Sequence, residues 1–458
     1  LDDDPVNPYF GKQELLYRAA AGSLRDLMAV AEDETWPGTA DLDTYPGMMA
    51  FKLGGKTLPP YGWAATHMPE EVRAVWTEAM RHLMDRSYPD GLVSCRNQSS
   101  HYLVSNHAFA NGSGDPLYEA MARLYDRRWR AGQDRCGYHM ECIGPDASYI
   151  GMTHWHEAVA YEMGGDPVLL ESMRESYDLF NQTVGPEPDG RMLGGFNFNH
   201  RVGEGFYGEQ WNGARGIVHD VLPEVGLWSA PPPTEEELAE ARERVNAFLD
   251  DPQMPRYPKQ TTWRYLAWDE PDRSGTWPCM EPDSFIREVD GEFIFINRPA
   301  YYTSVYVGMP ASEYYIRNRE KLREPYPDDG ESTGADYASI KTITPFIGGG
   351  LTGVWTEDYG HSLMATNWAP TTHHGLIATD AEELRWWEDY HAHEYTLDAD
   401  AGTLRITGCI EGRPIAYQRR YVFGDEAIEV ELTLTAGEAT SLQRLVECVP
   451  VARGGWKA

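Results

Sequence analysis

Residues 231–237 read Pro231-Pro232-Pro233-Thr234-Glu235-Glu236-Glu237, and the sequence pattern of the chain changes at this run. Three prolines cannot continue a helix, whereas Thr234 with Glu237 three residues later forms a capping box that opens a new helix. Apolar residues recur at helical spacing before the run, and beyond Asp251-Pro252 they fall in short strand-like runs. The sequence therefore predicts an α+β chain with a helical domain at 1–250 and a β domain at 251–458.

Upstream of residue 250, five amphipathic segments place apolar residues three and four positions apart, as the buried face of a helix requires. These segments are Gln13–Ala31, Pro69–Arg86, Pro116–Ala131, Thr153–Met163 and Pro167–Val184. Asp115-Pro116 and Asp166-Pro167 are typical helix starts, with aspartate as the N-cap and proline at the first helical position. Long helices that alternate with polar connectors favour an incomplete (α/α) toroid of helical hairpins over βαβ units.

Downstream of residue 251, β-branched and aromatic residues form short runs between Gly, Asp and Asn turns. The runs are Glu292–Ile296, Tyr301–Val307, Leu351–Trp355, Ser362–Thr366, Leu404–Thr407, Ile415–Val422, Ile428–Leu434 and Leu445–Val451. This spacing is typical of an antiparallel β-sandwich. Because the last run ends close to residue 458, we expect the sandwich to be truncated at its C-terminus.

The composition narrows the class of partner. Lys and Arg total 39 while Asp and Glu total 72, a net charge of −33 at pH 7. This charge argues against nucleic acid and against an anionic membrane surface. No apolar run reaches the ~18 residues of a membrane-spanning helix, so we expect no membrane insertion. The six cysteines include no Cys-x-x-Cys pair, which argues against a cysteine zinc site and a disulfide framework.

Residues with the chemistry of a catalytic site concentrate between Asn97 and Tyr207. Histidine-containing polar clusters recur there, at Asn97-Gln98-Ser99-Ser100-His101, His154-Trp155-His156 and Asn199-His200-Arg201. A packing core favours Leu, Ile and Val, because each buried polar group must find a partner. Such a density of Asn, His, Tyr and Arg suits acid–base chemistry on a hydroxyl-rich, anionic substrate. The window 191–219 is also locally basic, as an acidic protein needs in order to bind a polyanion.

Elimination from a 4-linked uronate needs a base for the C5 proton, a group that neutralises the carboxylate, and an acid for the leaving O4. Asn97 and His101 lie four residues apart, on one face of a helix. We assign Asn97 to contact with the uronate carboxylate, and His101 either to the same contact or to the role of the base. His154 is a further candidate base, and Arg201 is expected to clamp the carboxylate. Tyr207 is the candidate acid, or it serves as both base and acid. His200 is the remaining member of the predicted catalytic set. The candidate substrate-binding residues are Trp155, Asn199, Tyr149, His156 and Trp211.

Two segments of the helical half resemble motifs of the polysaccharide lyases that join a toroid to a sandwich. Asn97-Gln98-Ser99-Ser100-His101 resembles the Asn-His element of an inner helix in heparinase II/III-like enzymes. Asp146-Ala147-Ser148-Tyr149-Ile150-Gly151 resembles their glycine-rich segment, and a more distant similarity extends to hyaluronate and chondroitin lyases. Ala147 stands where those enzymes have a glycine. The sequence position of their catalytic tyrosine corresponds most nearly to Trp155. The resemblance implies a uronate lyase in which His154, His156 or another tyrosine moves the proton.

Two other interpretations stay open. A toroidal glycoside hydrolase would use paired carboxylates, for which Asp146, Glu157, Glu204 and Glu209 are candidates. A non-catalytic glycan-binding protein would need the abundant aromatic residues but not the Asn-His clusters. Elimination requires no cofactor, but a structural zinc or calcium ion is an open alternative, with candidate ligands Asp358, His361, His373 and His374. A polymer substrate implies an extracellular or periplasmic protein, and the sequence leaves the oligomeric state open.

Overall fold

The computed structural model confirms an α+β chain, with helices in the N-terminal half and antiparallel sheets in the C-terminal half. The chain divides into two compact units, of which the first comprises 1–133, 149–175 and 209–275, and the second 134–148, 176–208 and 276–458. The predicted domain boundary at residue 250 lies outside the described residues and stays a prediction. The structure describes residues 12, 14–18, 20–22, 24, 55–87, 96–141, 145–188, 190, 192–194, 206–207, 215–228, 234–236, 239–240, 243, 247, 275–308, 349–364, 375–389, 393–449 and 451.

The helices of the N-terminal half largely follow the predicted segments. Those described are α1 (Gly55–Ala64), α2 (Glu70–Ser87), α3 (Arg96–Ser113), α4 (Pro116–Ala131), α5 (Ala147–Gly164), α6 (Pro167–Phe180) and the short α7 (Arg215–Val218). Two predicted ends are wrong: α5 begins at Ala147 instead of Thr153, and α6 stops at Phe180, because Val184 begins a strand that pairs with Gly194. Cross-strand pairing therefore outweighs the helical apolar spacing at that point.

The predicted helix starts are confirmed in atomic detail. The Asp115 carboxylate accepts a hydrogen bond from the Leu117 backbone N–H at 3.0 Å, and Pro116 takes the first helical position of α4. The Asp166 carboxylate accepts from the Val168 N–H at 3.1 Å in the same way. Each aspartate satisfies a backbone donor that the first helical turn leaves without an intrahelical partner.

Burial separates two kinds of helix. In α4, the buried residues Tyr118, Ala122, Tyr125 and Trp129 recur at helical spacing and form a single face. In α3, the buried residues lie on all sides, and polar Asn97, Ser100, His101, Ser105, Asn106 and His107 are among them. A helix that is buried all round normally carries apolar residues, so the polar residues of α3 must be matched by neighbouring groups.

His107 shows how one of these polar residues is matched. Its Nε2 lies 2.8 Å from the Asp126 Oδ2, and both side chains are buried. These contacts give His107 a structural role. The other side of the ring packs directly on Gly164 at the end of α5, where a Cβ atom would lie 1.9 Å from the His107 Nδ1.

We expect Gly164→Ala to destabilise the protein by about 1–3 kcal/mol, because the added methyl group displaces His107 from its bond with Asp126. The measurement is urea unfolding followed by circular dichroism. Gly114→Ala is not a suitable control, since that glycine has a φ of +67°. Gly22, where a Cβ atom meets nothing within 4 Å, is the matched control and should lose much less stability on substitution by alanine. Equal losses at both positions would contradict the packing argument.

The second unit contains four antiparallel sheets. A small sheet has the order β1 (Val184–Pro186), β2 (Met192–Gly194), β3 (Phe206–Tyr207). A five-stranded sheet follows chain order through β4 (Phe285–Val289), β5 (Phe293–Arg298), β6 (Tyr301–Tyr306), β7 (Leu351–Thr356) and β8 (Gly360–Met364). A four-stranded sheet follows it through β11 (Glu394–Asp398), β12 (Thr403–Cys409), β13 (Ile415–Phe423) and β14 (Ile428–Ala436). In the remaining sheet, β9 (Gly375–Thr379) lies between β10 (Arg385–Trp387) and β15 (Arg444–Cys448).

One apolar core joins the five-stranded and four-stranded sheets. It includes Ile294, Ile296 and Val305 from the first and Leu404, Ile406 and Tyr421 from the second, all of them buried. Alternate residues of β13 are buried and partly exposed, as expected for a strand with one face toward a core. None of the described helices combines the length and the hydrophobicity that a membrane-spanning helix requires.

Candidate functional site

The first candidate site lies where α3 and α5 bring two histidine clusters together. The imidazole rings of His101 on α3 and His156 on α5 have their centroids 4.0 Å apart, at an interplanar angle of 51°. Asn97 lies one turn before His101, in the first turn of α3. All three side chains are at least nine-tenths buried, and His101, at 6% exposed, is the most accessible of them.

Ser100 fixes the tautomer of His156. The Ser100 hydroxyl donates to the Asn97 carbonyl oxygen at 2.7 Å, and the same hydroxyl oxygen lies 2.8 Å from the His156 Nδ1. A serine has only one hydroxyl proton, and the carbonyl bond uses it. The His156 Nδ1 must therefore carry a proton and donate to Ser100, which leaves Nε2 as the unprotonated nitrogen of that ring.

The electrostatics keep His156 neutral. Burial, followed by the neighbouring His101, holds the pKa of His156 well below its ordinary value. Two imidazoles in van der Waals contact cannot both be charged in a buried site, because the like charges repel each other at low dielectric. The pair therefore accepts at most one proton, and His101 is the more exposed of the two residues.

The remaining cluster residues of α5 have different neighbours. Trp155 packs with Val104 and Val159 in an apolar cluster, and His154 is buried. Because His154 and His156 lie two residues apart, they occupy different faces of α5. It is His156, the histidine with the smaller predicted role, that contacts His101. Tyr149 lies half-buried in the first turns of α5.

Glu157, a candidate carboxylate for a hydrolase, is held by two donors. Its Oε1 accepts hydrogen bonds from the Trp129 Nε1 at 2.8 Å and from the Ser172 hydroxyl at 2.5 Å, and the residue is fully buried. These bonds tie α5 to α4 and α6. They give Glu157 a structural role that sequence spacing alone did not indicate.

Several predicted site residues lie outside the described part of the chain. They are Asn199, His200, Arg201, Trp211, His373 and His374. The backbone of Tyr207 is described and belongs to β3, where it pairs with Leu193 of β2. The predicted roles of these residues stay predictions.

The predicted zinc ligands Asp358 and His361 have different surroundings. Asp358 is exposed in the turn between β7 and β8, whereas His361 is buried and stacks on Trp355 with ring centroids 5.3 Å apart. Burial lowers the pKa of His361 to about 4. Neither residue belongs to a group of three metal-binding side chains among the described residues.

His361 should make stability depend on pH. The unfolded chain takes up a proton near the ordinary histidine pKa of ~6.5, whereas the folded chain does so only near 4. Folding stability is therefore lost as the pH falls from about 6.5 to 4, by about 2–3 kcal/mol. We expect His361→Phe to remove this part of the pH dependence in urea unfolding at pH 7.5 and 4.5. An unchanged difference between the two pH values would refute the assignment.

The second unit contains a further group that the sequence did not predict. One donor atom each from Asp134, Cys136 and Glu292 lie within 4.8 Å of one another. Cys136 is a free thiol, as are Cys279, Cys409 and Cys448. Glu292 is far from Asp134 and Cys136 in the sequence, so no motif spacing could reveal the group.

Comparisons with known proteins do not assign a family to this chain. No family model matches it, and no curated protein matches it. The choice of function therefore depends on the chemistry of the described residues.

Proposed function

We propose that the protein is a polysaccharide lyase that cleaves a 4-linked, uronic-acid-containing polysaccharide by β-elimination. The observation that carries the proposal is the contact between His101 and His156 beside Asn97. This arrangement combines a base that can take one proton with an amide that can bind a carboxylate. Those are two of the three groups that the elimination requires.

In the proposed reaction, His101 removes the C5 proton of the uronate. The electrons of the C5–H bond form the C4=C5 double bond as the C4–O4 bond breaks. The leaving O4 takes a proton from the acid, for which Tyr207 is our candidate, and no water is consumed. Each positioned acid or base typically contributes about 10²–10⁴-fold to the rate.

Asn97 supports this reaction from the first turn of α3. The N-terminal end of a helix carries a partial positive charge and favours an anion. An amide at this end donates to the uronate carboxylate and stabilises the charge that develops on it when C5 loses its proton. Arg201 and His200 are proposed to add positive charge at the same carboxylate.

His156 is proposed as a positioning residue. With its Nδ1 proton donated to Ser100 and its ring neutral, it gives His101 an uncharged neighbour. A protonated neighbour would lower the proton affinity of His101 and weaken it as a base. The residues proposed to contact the sugar chain are Tyr149, Asn199 and Trp211.

The proposal extends to the architecture and the location. The helix α3 is buried on all sides, whereas its neighbour α4 buries a single face, and this contrast supports an incomplete (α/α) toroid of inner and outer helices. The apolar core shared by two antiparallel sheets supports a β-sandwich. An anionic polysaccharide as partner implies an extracellular or periplasmic protein, and elimination itself requires no cofactor.

The test is to incubate the protein with alginate, glucuronan, hyaluronan, chondroitin, heparan sulfate and ulvan in parallel. Elimination leaves a double bond conjugated to the carboxylate, so ultraviolet absorbance should rise on at least one polymer. New reducing ends without a rise in absorbance would indicate a hydrolase and refute the proposal. Binding without turnover on every polymer would refute it as well, in favour of a glycan-binding protein.

A further inference from the structure

A turn at residues 134–138 presents two potential metal ligands. The Asp134 N–H donates to the Tyr138 carbonyl oxygen at 2.9 Å, and the Gly137 N–H donates to the Asp134 carbonyl oxygen at 2.9 Å. The Cys136 N–H donates to the Asp134 Oδ1 at 2.8 Å. Gly137 has a φ of +94°, a conformation that favours glycine. The turn therefore holds the Asp134 carboxylate and the Cys136 thiol in fixed positions on one short segment.

Glu292 reaches this turn from the start of β5. Its Oε2 accepts a hydrogen bond from the Tyr138 hydroxyl at 3.1 Å, and its backbone carbonyl accepts from the Val307 N–H at 2.7 Å. The side chain is only 8% exposed. Hydrogen bonds thus hold both the backbone and the side-chain carboxylate of Glu292, and the carboxylate is directed to the turn.

The three groups oppose each other's ionisation. Burial, followed by the charge of Asp134, raises the pKa of Glu292 to about 7. Burial also raises the pKa of the Cys136 thiol, with the Glu292 charge next in size. A divalent cation among the three groups would reverse both effects, because it favours the charged forms of its ligands.

A cavity beside Glu292 gives an independent indication of a ligand. It has a volume of about 530 Å³, and Arg135, Glu292, His393 and Tyr395 are among its lining residues. The His393 Nε2 donates to the Val307 carbonyl oxygen at 2.7 Å, which makes Nδ1 the acceptor nitrogen. This Nδ1 has no hydrogen-bond partner among the described residues, although His393 is only 6% exposed. A buried imidazole nitrogen with its lone pair available is a common metal ligand.

We propose that Asp134, Cys136 and Glu292 bind a zinc ion in the second unit. The fourth ligand is a molecule in the cavity, or His393 after its side chain moves closer, because the His393 Nδ1 is not among the donor atoms that lie within 4.8 Å of one another. Thiolate, imidazole and carboxylate together form a ligand set for zinc, whereas calcium and magnesium take oxygen ligands. On binding, the Cys136 thiol and a protonated Glu292 release their protons to solvent. The site is separate from the predicted Asp358–His361 site and does not depend on the proposed lyase activity.

The first test uses Co²⁺ as a spectroscopic probe for the full chain after treatment with a chelator. We expect one equivalent of Co²⁺ to give a thiolate-to-metal charge-transfer band that disappears in Cys136→Ser. Cys409→Ser and Cys448→Ser are the matched controls, because these free thiols lie outside the cluster, and both should keep the band. Absence of the band in the unaltered protein, or its persistence in Cys136→Ser, would overturn the proposal.

A second measurement protects the conclusion against a misfolded cysteine variant. Isothermal titration with Zn²⁺ should give one site, and Glu292→Gln and Asp134→Asn should each weaken it by at least about tenfold. These substitutions keep side-chain size and remove only charge, and far-ultraviolet circular dichroism checks that the fold is retained. Unchanged affinity in both variants would also overturn the proposal, as would binding of Ca²⁺ in preference to Zn²⁺.

Discussion

His101→Ala is expected to lower kcat/KM for elimination by about 10²–10⁴-fold, because it removes the base proposed to take the C5 proton. The loss should appear in kcat more than in KM, since the base acts as the transition state forms and the substrate is held mainly by other groups. The measurement is the initial rate of ultraviolet absorbance increase on the polymer that the unaltered protein degrades. His67→Ala, a substitution at an exposed histidine, is the control and should leave the rate unchanged.

His156→Gln distinguishes a base from a positioning residue at the same site. Glutamine can donate to Ser100 but has no imidazole beside His101, so we expect a smaller loss than for His101→Ala. Full activity in His101→Ala, with the fold retained, would show that the base lies elsewhere in the chain. A larger loss in His156→Gln than in His101→Ala would exchange the roles of the two histidines.

Glu388→Gln is expected to destabilise the second unit by about 3–5 kcal/mol, because it leaves a buried guanidinium without its main counter-charge. Arg419 and Glu388 have fully buried side chains, and the Arg419 Nη2 donates to the Glu388 Oε1 at 2.6 Å. The same Oε1 accepts from the Leu376 N–H at 2.7 Å, which ties β9 to this pair. The Arg419 Nε also donates to Glu447 at 3.0 Å.

The neighbouring residue of β13 offers a matched control. Arg420 lies 3.8 Å from Glu431, whose side chain is 69% exposed. Exposed ion pairs contribute about 0–1 kcal/mol, so Glu431→Gln should have little effect. Urea unfolding of both variants at neutral pH measures the difference. Similar losses in the two variants would mean that burial does not set the energy of the Arg419 pair.

The sequence predicted the elements whose boundaries have a local cause. The helix starts at Pro116 and Pro167 follow from an aspartate cap and a proline, and strands such as β13 and β14 follow from β-branched alternation. The sequence did not reveal β4, β9, β10 and β11, because these strands are only three to five residues long. Nor did it reveal β1 to β3, where only pairing between distant segments stabilises an extended backbone.

The candidate site was predictable to the same extent. Asn97 and His101 lie one turn apart on α3, as the local rule for a four-residue spacing on a helix predicts. The choice between His154 and His156 was not predictable, because it depends on which face of α5 meets α3. Ser100 as the partner of His156, and Glu292 as the neighbour of Cys136, join segments far apart in sequence. Only the folded chain reveals such contacts.

The most direct test of the lyase proposal is mass spectrometry of products formed in water enriched with heavy oxygen. Elimination consumes no water, so the new unsaturated end and the new reducing end should both form without heavy oxygen from the cleavage step. The predicted result is equal numbers of new unsaturated ends and new reducing ends, with no heavy oxygen from cleavage in either. Both kinds of end should be lost in His101→Ala. Products that gain one labelled oxygen per cleavage and contain no double bond would contradict the proposal and indicate hydrolysis.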